Sequence, residues 1–236
     1  MRSANPSDVL RRLRALEDRQ QAQIYLWFFR TGPGDYGEGD HFLGIRVPVV
    51  RKLAREFATL PLKGIERLLS SKWHEARLLA LIVMVHRYER GDDAAREAIF
   101  RAYLRNTHRI NNWDLVDVSA RDIVGAHLVK ANRSLLTRMA RSKSLWERRI
   151  AIIATHQFIR HGNLKDTFRI ARILLRDEHD LIHKAAGWML REAGKIDRAA
   201  EEAFLEKHTA RMPRTMLRYA IELFPEKLRR RFLSLS

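Results

Sequence analysis

The residues between Pro61 and Pro213 include no proline, and their apolar side chains recur at helical spacing. Leu78, Leu81 and Ile82, for example, fall on one face when the chain is wound as a helix. Alternation of apolar and polar residues bounded by turn residues, which would indicate strands, is scarce. The pattern therefore predicts an all-α chain with roughly a dozen helices.

A period near 35 residues runs through the predicted helices. A cation stands at the start of an apolar run at Arg77, Arg149, Lys184 and Arg218, at separations of 72, 35 and 34 positions. Trp113 occupies the midpoint of the first separation. Helix pairs of this length stack into solenoids of the HEAT or TPR kind, and the Trp, Gly and Tyr signature of TPR is absent. HEAT-like repeats are therefore favoured.

This period predicts the architecture of the whole chain. We expect a single domain over residues 1–236, an all-α, right-handed α-solenoid of about six HEAT-like helix pairs with a basic concave groove. Residues 1–40 would supply N-terminal helices and an acidic, glycine-rich loop, and residues 41–236 the repeats. The loop, residues 31–40, has three acids that would repel phosphate, so we expect a tight surface loop, with a phosphate cradle as the alternative.

Two columns of residues would line the concave groove. The first contains the four cations of the period and Trp113, and the second lies one helical turn further on. Together they would gather four cations, two tryptophans and two acids on one surface. The members of the second column are Leu81, Asp117, Ile153, Trp188 and Glu222.

The charge of the chain indicates a polyanionic partner. Lys and Arg total 45 against 28 Asp and Glu, a formal net charge of +17. Nucleic acid is the favoured partner and an anionic membrane surface the second. Contacts to phosphate read no sequence, and no helix-turn-helix or finger motif is present, so we expect sequence-independent binding to duplex DNA. The expected phosphate contacts are Arg46, Arg51, Lys52, Arg77, Arg149, Lys184, Arg191 and Arg218.

Three further features narrow the class of protein. The chain has no cysteine, which excludes disulfides and thiolate zinc sites and fits a reducing compartment. The first apolar cluster, residues 24–29, is too short for a signal peptide or a membrane span, so we expect a cytoplasmic protein that does not enter membranes. A solenoid with its own groove needs no partner subunit, so we also expect a monomer. His179 and His183 resemble half of a zincin motif, but Asp180 replaces the usual Glu, so we expect neither metal nor other cofactor.

Trp113 and Asp117 are the candidate chemical groups. They are four residues apart and so share one face of a helix. Asn112 is a candidate N-cap and Asp114 a complement to the helix dipole, but capping does not account for Asp117. Asp117 could form a salt bridge with a repeat neighbour such as Arg149. Alternatively, it could stabilise the positive charge that develops on deoxyribose when an N-glycosidic bond breaks, and position the attacking water.

Four blocks of sequence, in order and with similar spacing, resemble the AlkD-type DNA alkylation repair proteins, which are HEAT-like-repeat DNA glycosylases. The resemblance covers roughly residues 20 to 225, and loop 31–40 is longer than the corresponding connection of the family's catalytic prototype. The blocks are FLGIRVP (residues 42–48), NWDLVD (112–117), WERR (146–149) and HKAAGWMLRE (183–192).

The resemblance implies roles for individual residues. Trp113 and Asp117 match a Trp and an Asp that contact the damaged nucleotide, where the Asp is the catalytic carboxylate. Trp188 matches a second Trp, and Arg149 an Arg at the site, with Arg148 as the alternative one position away. The family excises cationic N3- and N7-alkylpurines from duplex DNA without flipping the base out, an exception among glycosylases.

Three alternatives to a glycosylase remain. Branches of the family bind damaged or branched DNA without cleaving it, although the presence of both tryptophans and Asp117 favours catalysis. A HEAT-like scaffold for an acidic protein would be expected to expose apolar stripes on the groove. A role on a membrane surface is least favoured, because no basic amphipathic helix stands apart from the repeats.

Overall fold

The structure, a computed structural model, describes residues 5–235, which are helical and contain no β-strand. Within these residues, one isolated bridge pairs His41 with Trp73. The predicted all-α class is therefore confirmed. The α-helices are α1 (Pro6–Arg14), α2 (Arg19–Phe28), α3 (Val47–Glu56), α4 (Leu62–Leu69), α5 (His74–Arg90), α6 (Asp93–Arg105), α7 (Trp113–Asp117), α8 (Ala126–Leu128), α9 (Ser134–Ala140), α10 (Leu145–Arg160), α11 (Lys165–Leu174), α12 (Asp180–Ile196), α13 (Arg198–His208), α14 (Arg214–Ala220) and α15 (Glu226–Ser234). Short 3-10 turns at Thr107–Arg109, Thr209–Arg211 and Ile221–Leu223 and a π-helical turn at Arg121–Gly125 complete the helical segments.

The chain divides into two compact units, the first ending at Ser119 and the second beginning at Ala120. In the first unit α5 is central, since α1, α3, α4, α6 and α7 all pack against it. In the second unit α10, α12 and α14 pack in succession, and each is preceded by a shorter partner helix that packs against it or its neighbour. This succession within the second unit is the arrangement expected of paired helical repeats. The assignment of residues 1–236 to one domain stays a prediction.

The cations that define the period mark successive helices. Arg77 lies three residues after the first residue of α5. Arg149, Lys184 and Arg218 each lie four residues after the first residue of α10, α12 and α14, respectively. Trp113, in contrast, is itself the first residue of the much shorter α7. The period therefore identifies the helices, but Trp113 does not share the position of the cations within its helix.

The two predicted columns do not form one exposed stripe. Leu81 and Ile153 are buried core residues, and Arg77 and Arg149 are each only 5% exposed. The physical reason is that α5 and α10 are covered on most sides, with buried residues along nearly their whole length. A repeat in sequence reproduces the position of a residue along a helix, whereas the neighbouring helices decide whether that position reaches solvent.

A buried carboxylate of α5 holds the segment that leads into α3. Glu75 accepts hydrogen bonds from the backbone N–H groups of Leu43, Gly44 and Ile45, at 2.8 to 3.2 Å. These donors replace the water that a buried carboxylate loses. Gly44 has φ of +79°, and a Cβ there would lie 2.0 Å from the carbonyl oxygen of Asp18. The backbone that begins α2 therefore approaches this segment so closely that only glycine fits.

A Cβ at Gly44 would lower the free energy of unfolding for two reasons, the steric clash and the left-handed backbone conformation, and a second glycine separates them. Gly34 has the same φ of +79°, but a Cβ added there would meet no other atom within 4 Å. We expect Gly44→Ala to lower the free energy of unfolding by about 2–4 kcal/mol, because it adds a steric clash to the left-handed conformation. Gly34→Ala should cost only about 1 kcal/mol. Urea denaturation of both variants measures this, and equal losses would contradict the packing argument.

Candidate nucleic-acid interface

Helix α7 carries both residues that the sequence singled out. Trp113 is its first residue and Asp117 its last, so the ring and the carboxylate lie one turn apart on the same face. The buried side chain of Asn112 accepts a hydrogen bond from the backbone N–H of Trp113 at 2.8 Å. The prediction that Asn112 caps this helix is thus confirmed.

A buried network of charged groups holds the start of α7. His74 of α5 bridges two carboxylates: its Nε2 lies 2.8 Å from Asp114 Oδ2 and its Nδ1 lies 3.3 Å from Asp40 Oδ2. The Asp40 carboxylate also accepts hydrogen bonds from Arg77 Nη2 at 2.5 Å and from Asn112 Nδ2 at 3.1 Å. The end of loop 31–40, the start of α5 and the start of α7 are therefore joined by one set of polar contacts.

The charges within the network follow from these contacts. Burial alone would lower the pKa of His74, which is 2% exposed, but the charge of Asp114 and hydrogen bonds to Asp114 and Asp40 raise it to about 9. Burial likewise would raise the pKa of Asp40, but the hydrogen bond from His74 and the charge of Arg77 outweigh it and lower that pKa. His74 is therefore an imidazolium held between carboxylates at neutral pH.

The network corrects two expectations and adds a contact to a third. The acidic loop was expected to lie on the surface, yet its last residue, Asp40, is buried. Arg77 was expected to contact phosphate, but it is buried and donates to Asp40 and to the carbonyl oxygens of Ser71 and Lys72. Asp114 does lie in the first turn of α7, as a dipole complement should, and it also binds His74. In each case a partner distant in sequence determines the role.

Aromatic rings fix the plane of the Trp113 side chain. One stack runs from Trp113 to Phe29 and on to Phe42, with centroid distances of 5.4 and 5.0 Å and interplanar angles of 26° and 13°. Phe28 meets the Trp113 ring edge-on at 5.9 Å, and His74 stacks on Phe42 at 4.6 Å. Trp113 is half-buried, so packing restricts its rotamer while part of the ring stays accessible.

Two neutral, hydrogen-bonded side chains, Tyr103 and Ser119, lie at the C-terminal end of α7. The buried hydroxyl of Tyr103 lies 3.1 Å from Ser119 Oγ, which in turn donates to the carbonyl oxygen of Leu115 at 2.6 Å. Burial raises the pKa of Tyr103, and the nearby charge of Asp117 raises it further, so the phenol stays protonated. Asp117 itself is half-buried.

In the second unit, Trp188 and Arg149 are both held by neighbouring groups. Trp188 is half-buried in α12; its Nε1 donates to Glu192 at 3.1 Å, and the ring of His156 meets it edge-on at 6.0 Å. Arg149 is buried at the start of α10, where its Nη1 donates to the carbonyl oxygen of Leu181 at 2.5 Å. Both side chains thus have restricted conformations.

Arg148, the alternative site arginine, has a local structural role. Its Nε lies 2.6 Å from Asp177 Oδ2, and its Nη1 donates to the carbonyl oxygens of Ser142 and Lys143. These contacts tie the turn before α10 to the turn before α12. Because Arg149 is also held by internal contacts, the preference for Arg149 as the site arginine stays a prediction.

The remaining predicted phosphate contacts differ in their ion pairing and in their exposure to solvent. Lys184 pairs with Asp180 at 2.6 Å but keeps a partly exposed side chain. Arg191 is less exposed and pairs with Glu192 and Glu222. The cations on exposed positions are Arg46, Arg51, Lys52 and Arg218.

The two histidines of the half-zincin pattern contact backbone. His179 caps α12, its Nδ1 accepting from the N–H of Leu181 at 3.1 Å, and His183 Nε2 lies 2.5 Å from the carbonyl oxygen of Asp177. Across residues 5–235, no group of three or more metal-binding side chains is placed to hold an ion. In the same range, no helix has both the length and the apolar character needed to cross a membrane.

Sequence reasoning missed the residues that position α7, namely Asp40, His74, Glu75 and Phe29. One signal could have identified two of them. His74 and Glu75 stand together directly before a long apolar helical run, and polar groups in so apolar a context must find partners if they are buried. The partners themselves lie on other elements and leave no mark in the local sequence.

The charge of His74 predicts a dependence of stability on pH. Because its pKa in the folded chain is raised from 6.5 to about 9, its contribution is fully present below pH 6.5 and is lost as the pH rises to about 9. We expect the free energy of unfolding of the wild type to fall over that range by up to about 3 kcal/mol more than that of His74→Gln. Parallel curves for the two proteins, measured by urea denaturation at each pH, would show that His74 is neutral.

Known proteins that are similar to this chain support the family resemblance noted in its sequence. A sequence profile of the family described as "DNA alkylation repair enzyme" matches residues 9–224. No curated protein matches the sequence significantly. A solved structure described as a "Predicted DNA alkylation repair enzyme from Enterococcus faecalis" is similar, with a TM-score of 0.69 and 18% identity over 89% of this chain and 97% of that one. That likeness shows a shared fold, and the profile covers most of the sequence. The chain therefore belongs to the DNA alkylation repair enzyme family.

Proposed function

We propose that this chain is a monofunctional DNA glycosylase that hydrolyses the N-glycosidic bond of N3- and N7-alkylated purines in duplex DNA. The observation that carries the proposal is the placement of Trp113 and Asp117 at the two ends of one short helix whose start is fixed by buried contacts. Membership of the DNA alkylation repair enzyme family supports alkylated DNA as the substrate, and the resemblance to AlkD-type proteins suggests the alkylated purines.

The proposed reaction uses Asp117 as an ionised carboxylate. As the C1′–N bond of the alkylated nucleotide breaks, its electron pair leaves with the base, which departs neutral because it was cationic. Asp117 stabilises the oxocarbenium ion that remains and orients a water molecule, whose oxygen bonds to C1′ while its proton passes to solvent. The products are a free base and an abasic site. A cationic leaving group departs without a protonating acid, so neither metal nor cofactor is required.

The restricted conformation of Trp113 suits this chemistry. A flat ring against the deoxyribose excludes water from one side, and the negative face of an indole favours a neighbouring cation. The stack on Phe29 fixes the ring plane, and the contacts of Asn112 and Asp114 fix the start of the helix. The ring and carboxylate thus need little reorganisation when DNA binds, which is the condition for effective electrostatic stabilisation.

Other residues are proposed as contacts to the DNA backbone. Arg46, directly before α3, and Arg51 and Lys52, in the middle of α3, are exposed and carry charge that phosphate can neutralise. In the second unit we propose Arg149 and Trp188, by family correspondence, as contacts to DNA, together with Lys184, Arg191 and Arg218. Arg77 is left out of this set because it is buried and donates to Asp40, and Arg148 stays the alternative to Arg149. We further propose that the protein acts as a cytoplasmic monomer.

Removal of the charge of Asp117 tests the chemistry. Asp117→Asn should lower the rate of base release from duplex DNA carrying N7-methylguanine about 100- to 1000-fold, because the amide cannot stabilise the oxocarbenium ion. Affinity for the same DNA should change little. Asp93→Asn is the matched control, since Asp93 is fully exposed on α6 and its replacement changes the net charge equally. Release is measured chromatographically under single-turnover conditions.

Three results are informative in that experiment. Activity that survives Asp117→Asn would remove Asp117 from the catalytic role. An equal loss in Asp93→Asn would attribute the effect to net charge. Binding without release by the wild type would place the chain among the family's non-catalytic DNA binders, and loss of duplex binding at physiological salt would favour a protein scaffold.

The cations of α3 can be tested by the salt dependence of binding. The double change Arg51→Gln with Lys52→Gln should reduce the slope of log affinity against log salt by about 2, since each neutralised phosphate contributes about 0.9. The double change Lys227→Gln with Arg230→Gln removes equal charge from exposed positions of α15 and should leave the slope nearly unchanged. Equal slopes for the two variants would contradict a specific role for α3.

A further inference from the structure

Helix α2 presents an apolar face to solvent. Ile24, Trp27 and Phe28 occupy positions i, i+3 and i+4 of the helix and are 55%, 81% and 51% exposed. Single exposed apolar residues are ordinary, but three that share one helix face form a patch, and such patches mark binding surfaces. Trp27 contributes the largest ring and the largest exposed fraction, so it dominates this face.

A cation follows the patch in a backbone conformation that disfavours it. Arg30 has φ of +49°, and within residues 5–235 no other residue except glycine has a positive φ. It terminates α2, with its N–H donating to the carbonyl oxygen of Trp27 at 3.2 Å and that of Thr31 to Leu26 at 3.1 Å. Glycine is the usual residue at such a helix end, and arginine there costs about 1 kcal/mol. The Arg30 side chain is exposed, so it contributes little to the stability of the fold.

An open cleft beside the patch combines aromatic, positive and negative groups. Its volume is about 750 Å³, and its lining includes Trp27, Phe28, Arg30 and Asp35. A nucleotide is complementary to this set: its base offers a π-face to the indole and N–H donors to the carboxylate, and its phosphate offers a partner to the guanidinium. A lipid surface would meet repulsion from Asp35, and a purely apolar peptide would leave both charges unpaired.

We propose that the exposed end of α2 is a nucleotide-binding surface, where Trp27 stacks on a nucleobase and Arg30 pairs with its phosphate. The proposal rests on the proposed function only in taking DNA as the partner. Phe28, which lines the same cleft, meets the ring of Trp113 edge-on at 5.9 Å, so this surface adjoins the start of α7.

The geometry also predicts which DNA the surface selects. In an intact duplex both faces of each base are covered by its neighbours, so Trp27 has no free base to stack on. Where an unpaired nucleotide interrupts the stack, a base face is available at little cost. The surface therefore favours DNA with a local interruption, such as a bulge, over the intact duplex of the same sequence.

The test compares affinities for intact duplex and for the same duplex with one unpaired nucleotide, by fluorescence anisotropy. Trp27→Ala should lose about tenfold in affinity for the bulged duplex, as expected for one base–aromatic stack, and less than about twofold for the intact one. Its melting temperature should not change, because the side chain is exposed. Ile196→Ala, which removes another exposed apolar side chain, is the matched control and should bind both duplexes as the wild type does.

Arg30→Gly provides a second, independent measurement. Relief of the left-handed conformation should leave the melting temperature unchanged or raise it, while affinity for the bulged duplex falls and the salt slope decreases by about 1. Lys227→Gln removes the same charge elsewhere and should have neither effect. A lower melting temperature for Arg30→Gly would assign its side chain to the fold and overturn its role as a phosphate contact.

Other outcomes overturn the role of Trp27. If Trp27→Ala binds both duplexes as the wild type does, or loses affinity for both equally, stacking on an exposed base is excluded. If the variant changes the mass in sedimentation while DNA binding stays constant, the patch serves a second copy of the chain. Base release by the wild type separates the two proposals. If the wild type releases the base but Trp27→Ala has unchanged affinity for both duplexes, only the nucleotide-binding surface is excluded. If Trp27→Ala loses affinity for the bulged duplex but the wild type releases no base, only the glycosylase activity is excluded.

Discussion

The first unit depends on one buried interaction, the imidazolium of His74 held between Asp40 and Asp114. This contact joins elements that are distant in sequence, since the loop residue, the helix α5 residue and the α7 residue are separated by 34 and 40 positions. Buried charges are costly unless every partner is in place, so the network tolerates few alternative arrangements. That intolerance is the physical reason why a helix of five residues, too short to be stable alone, holds a defined position.

Packing around the network extends its effect to the surface. His74 stacks on Phe42, Phe42 on Phe29, and Phe29 on Trp113, so the buried charge and the accessible indole belong to one continuous set of ring contacts. Glu75, the next residue along α5, accepts hydrogen bonds from the backbone N–H groups of Leu43 and Gly44, which directly follow Phe42. Two adjacent polar residues of one helix therefore determine both the position and the plane of the proposed substrate-contacting ring. The proposed chemistry requires this rigidity, because electrostatic stabilisation of the transition state depends on groups that are positioned before the reaction begins.

Several features could be predicted because they depend on neighbours in the sequence. Helical spacing indicated the all-α class, and the Asn112 cap and the shared face of Trp113 and Asp117 followed from local helix geometry. The expectations that failed all concerned environment. Arg77 was expected to line a basic groove but is buried and paired with Asp40, and Asp40 itself, at the end of a loop expected to be solvated, is buried as well. Nothing within a few residues of these positions distinguishes a paired internal charge from a solvated one.

The sequence by itself determined the helical class, the spacing of successive helices, the strongly basic charge and the adjacency of an indole and a carboxylate on one helix. These properties arise from backbone geometry and composition, which act over a few residues or over the whole chain. Only the tertiary structure decided which cations are internal partners and which reach solvent, and that Trp27 lies exposed while Trp113 is packed on one side. The burial of a side chain depends on the elements that pack against it, and their approach is the sum of many long-range contacts that no local pattern encodes.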